Sequence, residues 1–175
     1  MPEVIFDTCV LSNFALSGSF PLIRTLYPRT AFVSEMVVLE NLRGIQRGFS
    51  ALDTVRTALN EGWLQEVSLS HPREWQTFQN LSISLGIGES SCIAIASQRS
   101  YVFACDDRAA RKEAASCGVP LTGTVGILIK AAASGALDLA KANSILKKMI
   151  AKGFYAPVQR IERQMLESLL AHRGE

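Results

Sequence analysis

Val4-Ile5-Phe6-Asp7-Thr8-Cys9-Val10-Leu11-Ser12-Asn13 is the stretch from which the rest of the chain is read. A short run of β-forming apolar residues ends in one carboxylate. The hydrophobic period then changes, with Leu11, Phe14 and Ala15 recurring at helical spacing. The pattern predicts a buried first strand, Asp7 at its carboxyl end, and a helix starting within a few residues. In open α/β sheets, ligands and catalytic groups collect beyond the carboxyl ends of the strands. Asp7 is equally a candidate N-cap for the helix that follows it. Which reading holds depends on whether other acids reach the same edge.

Outward from this stretch, strands and helices alternate. Leu22 to Tyr27 reads as a short helix bracketed by Pro21 and Pro28. Ala31-Phe32-Val33 reads as a strand, and Ser34 as the N-cap of a helix from Glu35 to Leu42 that Gly44, Gly48 and Ser50 bring to an end. Ala51–Asn60 is predicted helical and Trp63–Val67 extended. His71-Pro72 opens a helix toward Leu85, and Glu89–Gln98 forms the next. Tyr101–Cys105 is the clearest later strand and runs straight into Asp106-Asp107. Helices are expected over Arg108–Ser116, Val125–Ala133 and Asp138–Ala151, with Gly118–Leu121 returning to the sheet. A last helix is expected to start at Pro157 and run toward Leu170. Such alternation predicts a three-layer α/β/α domain with a mainly parallel central sheet.

Composition bounds the function. A chain of 175 residues with 48% hydrophobic and 19% charged residues suits a single globular domain spanning residues 1–175. No apolar run reaches the roughly 18 residues of a membrane span. Met1-Pro2-Glu3 does not resemble a signal peptide, so a cytoplasmic protein is expected. Cys9, Cys92, Cys105 and Cys117 are scattered without a CxxC pair, which argues for buried thiols over zinc or disulfides. Neither His71 nor His172 adjoins a nucleophile motif, and Gly86-x-Gly88 is too short for a dinucleotide fingerprint. The net charge of +2 gives no general basic field, although Arg108, Arg111 and Lys112 flank the acidic pair.

The carboxylates, in contrast, fall into a pattern. If the first strand and Tyr101–Cys105 are parallel neighbours, Asp7, Asp106 and Asp107 share one edge. Glu40 lies among Val37, Val38, Leu39 and Leu42, odd company for a solvated acid, and Glu89 opens an apolar helix. Each has a structural reading as a cap or a first-turn acid. A cluster of such acids repels itself and persists where a divalent cation neutralises it. Carboxylate oxygens suit Mg²⁺ or Mn²⁺ rather than zinc. A cation held this way can activate water against a phosphodiester. A receiver-type phosphoacceptor would put its acidic pair after the first strand, and an Asp-x-Asp phosphatase is excluded by Cys9.

Five segments in order resemble PIN-domain nucleases, and within them small prokaryotic proteins similar to VapC-type toxins. They are Phe6-Asp7-Thr8-x-Val10-Leu11-Ser12-Asn13; Val33-x-x-x-Val37-x-x-Glu40; Leu85-Gly86-x-Gly88-Glu89-Ser90-x-x-Ile93-Ala94-x-Ala96; Asp106-Asp107-Arg108-x-Ala110-Arg111; and Thr122-Gly123-Thr124-x-Gly126-Ile127-Leu128. The resemblance implies a PIN-like fold and a ribonuclease dependent on Mg²⁺ or Mn²⁺. By its pattern the acids are Asp7, Glu40, Glu89 and one of Asp106 and Asp107, with Asp107 favoured because Cys105 takes the place of a Thr that often precedes the Asp by two. Glu89 stands where many relatives carry Asp. Thr8, Ser12 and Thr124 become polar supports of the carboxylates, or plain caps and turn formers. Arg108 and Arg111 become contacts to an RNA backbone, or ordinary surface charges. The resemblance further implies a toxin of a type II toxin–antitoxin pair, a small antitoxin partner and a homodimer. The alternative is a PIN-fold protein without catalysis that binds protein or RNA.

Overall fold

The computed structural model describes residues 2–171, so Met1 and residues 172–175, His172 among them, lie outside it. Five strands, β1 (Val4–Phe6), β2 (Ala31–Ser34), β3 (Leu64–Val67), β4 (Val102–Ala104) and β5 (Leu121–Thr122), form one sheet in the order β3-β2-β1-β4-β5. Every pairing is parallel, with Val4 opposite both Ala31 and Val102. β1 is central and wholly buried, which is why it reads as an unbroken apolar run without alternation.

The helices are α1 (Thr8–Leu16), α2 (Pro21–Leu26), α3 (Glu35–Gln46), α4 (Asp53–Asn60), α5 (Pro72–Leu81), α6 (Ile87–Arg99), α7 (Arg108–Ser116), α8 (Thr124–Ala133), α9 (Leu139–Ala151) and α10 (Arg163–Ala171). A 3-10 turn, Ser50–Leu52, leads into α4. α1 contacts α4, α8 and α9 on one side of the sheet. α6 packs on β1, β2 and β4 and contacts α5 and α7 on the other. Right-handed crossovers require this division, because the chain steps from β1 to β3 in one direction and then returns past β1 to β4. The three-layer α/β/α architecture expected from the alternation is the one observed.

Several local expectations differ from the structure: α5 stops at Leu81 short of Leu85, β5 is Leu121–Thr122, and Cys9 and Cys117 are exposed thiols. Gly44 does not end α3, which runs on to Gln46. A Cβ at Gly44 would come within 2.5 Å of Leu52 Cδ1, so this glycine serves close packing against the 3-10 turn. α6 starts at Ile87, two residues ahead of Glu89, with Gly86 as its N-cap and Gly88 inside the first turn. Pro157 does not start a helix; α10 begins only at Arg163.

Candidate active site

Strand order reverses at β1, with β2 on one side and β4 on the other, which makes the carboxyl ends of β1 and β4 a topological switch point. Asp7 follows β1 directly, and Asp106 follows β4 after Cys105. The Asp7 N–H donates to the Ala104 carbonyl at 3.0 Å, tying the two acid-bearing strand ends together. The sheet thereby delivers the acids to one edge.

Asp7 is 2% exposed. Its Oδ2 accepts from the Cys9 N–H at 3.3 Å and caps α1, so the capping role is real. A neutral Asn would serve a cap equally well. What capping leaves unexplained is the charge: among the described residues Asp7 has no ion-pair partner. Burial, then the charges of Glu89 and Glu40, push its carboxyl up to about 7 against the pull of the Thr8 and Cys9 N–H groups.

Glu89 lies in the first turn of α6, where its Oε2 accepts from the Gly86 N–H at 3.3 Å. Burial raises its carboxyl above the usual range, and the negative charges of Asp107 and Glu40 add to the effect. Glu40 reaches the same edge from α3. Thr8 Oγ1 donates to its Oε2, and the Gly88 N–H to its Oε1 at 3.3 Å. A Cβ at Gly88 would lie 2.6 Å from Glu40 Oε2, so only glycine admits this approach.

The doubled acid divides its labour. Asp106 Oδ1 accepts from the Thr124 N–H at 2.9 Å, and its Oδ2 accepts from Thr124 Oγ1 at 2.5 Å and Asn13 Nδ2 at 3.1 Å. Asp107 is exposed and caps α7 through Oδ1, which accepts from the Ala110 N–H at 2.8 Å. Ligand atoms of Asp7, Glu89 and Cys105 all lie within 4.8 Å of one another. Burial and the Asp7 charge push the Cys105 thiol far up, so it stays protonated and the hard donors of the cluster are carboxylate oxygens.

Thr8 and Thr124 thus contact acids directly, whereas Ser12 is half-buried on α1 outside these contacts. Arg108 is exposed at the start of α7. Arg111 turns inward instead, and its Nη1 donates to the carbonyls of Cys105 and Thr122 at 2.7 Å each, bracing the ends of β4 and β5. Asn13, Gly88 and Cys105 stand within or beside the motifs quoted from the sequence, but the contacts they make at the site were not read there. Asn13 was the most findable, as a polar residue beside the apolar Leu11, Phe14 and Ala15 of α1. The others act through contacts far apart in the chain.

A buried Asp7 beside the half-buried Glu89, neither with an ion-pair partner among the described residues, fits a hard divalent cation, which takes oxygen ligands and removes the repulsion. A family model described as a PIN domain matches residues 3–169 of the chain. No curated protein matches it significantly.

Proposed function

The chain belongs to the PIN-domain family, a nuclease fold, and from that premise we propose that it is a divalent-metal-dependent endoribonuclease. The observation that carries the reading is Asp7, a carboxylate 2% exposed and without an ion-pair partner among the described residues, beside Glu89. Asp7, Glu89 and Asp107 would hold Mg²⁺ or Mn²⁺. Asp107 is preferred to Asp106 because both oxygens of Asp106 already accept hydrogen bonds from Thr124 and Asn13, while Asp107 commits Oδ1 alone. Asp106 then completes the acidic set from the Thr124 side. The bound cation supplies an activated water and offsets charge developing on the phosphodiester oxygens.

The chain's own residues supply orientation and proton handling. Glu40, held at both oxygens by Thr8 and Gly88, is fixed in place to orient the attacking water and accept its proton. Asn13 and Thr124 hold Asp106. Arg108 offers the phosphate contact, and Arg111 keeps the two strand ends in register. The VapC-type character of the motifs supports a cytoplasmic toxin of a type II pair, with a small antitoxin and a second copy of the chain as partners. Growth arrest on expression, relieved by the product of a neighbouring reading frame, tests that extension.

The direct test is cleavage of a mixed RNA pool with Mg²⁺, Mn²⁺ or EDTA. Wild type should cut only with a divalent cation, and folded Asp7→Asn should lose at least about a hundredfold in rate. Cutting in EDTA, or undiminished cutting by Asp7→Asn, contradicts the proposal. Neither cleavage nor metal binding by wild type would favour the non-catalytic PIN-fold binding module.

A further inference from the structure

A groove of about 700 Å³ opens between α8 and the segment that joins α9 to α10. Asp106 and Arg108 belong to its lining, so groove and acidic site share a wall. Val125, Phe154 and Leu169 supply apolar surface, and Tyr155 stands at the groove with 97% of its surface exposed.

The segment carrying Tyr155 is pinned on both sides. Gly153, at φ +103°, turns the chain out of α9, and the Phe154 N–H donates to the Met149 carbonyl at 3.0 Å. The Ala156 N–H donates to the Phe154 carbonyl at 3.1 Å, closing a three-residue turn with Tyr155 at its apex. Further on, Asn143 holds Ile161 through both its N–H and its carbonyl, at 2.8 and 3.0 Å. Phe154, Ala156 and Val158 pack against the core. Tyr155 is therefore presented to solvent by anchored neighbours, and its ring contributes little to the core.

We infer that this groove receives an unpaired nucleobase next to the phosphodiester being cut, with Tyr155 stacking on the base and Arg108 contacting the flanking phosphate. The inference rests on the nuclease reading above. Continuity is the first argument: a strand whose phosphate lies at the acids must lay its neighbouring nucleotide along the surface that Asp106 shares with the groove. Charge is the second. Arg108 is exposed at the groove, and Arg111, braced on backbone carbonyls, and Lys130, over the Tyr27 ring, add positive charge to a lining whose one anion is Asp106, which suits a phosphate. Chemistry is the third, because every base offers a π-face to an aromatic ring whatever the sequence. Volume agrees, since the groove falls in the roughly 300–1,000 Å³ range of sites for small organic ligands.

The test is fluorescence anisotropy with a short single-stranded RNA, in Ca²⁺ to neutralise the carboxylates. An otherwise identical RNA carrying abasic ribose positions serves as control, and cleavage in Mn²⁺ is followed in parallel. Tyr155→Ala should weaken binding of intact RNA about tenfold, Tyr155→Trp should restore it, and neither should alter binding of abasic RNA. Arg108→Ala should weaken both RNAs and flatten the salt dependence. Unchanged affinity in Tyr155→Ala overturns the inference and is the result expected if a protein segment occupies the groove. Equal losses on intact and abasic RNA overturn it too. Tyr155-dependent binding without cleavage by wild type would overturn the nuclease reading and leave the groove standing. Metal-dependent cleavage with Tyr155-independent binding would do the reverse.

Discussion

Asp7 ionises near 3.8 in an unfolded chain but at about 7 where burial, Glu89 and Glu40 surround it. The native state therefore favours its protonated form. Asp7 adds a stability contribution that is complete below about pH 4 and lost as pH rises through 7. Metal-free protein should melt at lower temperature as pH rises across that window. Asp7→Asn abolishes the loss, so at pH 8 in EDTA it should be the more stable protein, by at most about 4 kcal/mol. The difference should shrink toward pH 5, and thermal melts at the two pH values check this; a pH-independent difference would contradict it. Gly88 makes the complementary point. Gly88→Ala places a methyl group against the Glu40 carboxylate, the movable end of a side chain. Stability should change by no more than about 1 kcal/mol, since Ala favours a helix. RNA cleavage should fall at least about tenfold as Glu40 swings away. Asp7, Glu40 and Glu89 were legible in the sequence because acids in apolar company stand out. Gly88 was legible only as a glycine, since the reason for it sits on α3.

At the level of elements, an ion pair between half-buried Arg99 and buried Glu74 joins α6 to α5. Glu74 is 1% exposed, and Arg99 Nε donates to its Oε1 at 2.7 Å. Burial alone would raise the Glu74 carboxyl, but the Arg99 hydrogen bonds and the N–H groups of Ser70 and His71 outweigh it and bring the value down to about 2. Its sign is opposite to that of Asp7: the contribution is present above about pH 4.5 and lost as pH falls toward 2. Arg99→Ala leaves that carboxylate buried without its cation and should cost about 3 kcal/mol at pH 7. Much of that cost should vanish near pH 3, as denaturant melts would show; an equal cost at both pH values would contradict the assignment. Elements with strong local signals, such as Arg108–Ser116 and Ser34 as the cap of α3, were read as they stand. Pro157 misled because proline at a first helical turn and proline in an anchored loop look alike in sequence. Here the side chains of Phe154 and Ile161, packed inward, decide for the loop.

For the molecule as a whole, strand–helix alternation announced a parallel sheet, and the order β3-β2-β1-β4-β5 turns that sheet into a site. The order itself was not legible, because it depends on which way the chain turns after β3. The inference that Asp7 and the acidic pair share an edge rested on β1 and β4 being parallel neighbours, and the Val4–Val102, Ile5–Phe103 and Phe6–Ala104 pairings supply that condition. Around that edge Glu40 comes from α3, Glu89 from α6 and Thr124 from α8. Calorimetric titration of Mn²⁺ into wild type and Asp7→Asn at pH 8 and pH 6 tests the central claim most directly. The account predicts saturable binding by wild type, weaker at pH 6 because Asp7 must give up its proton, and its loss in Asp7→Asn. Equal Mn²⁺ binding by the two proteins, or none by wild type at pH 8, would contradict it.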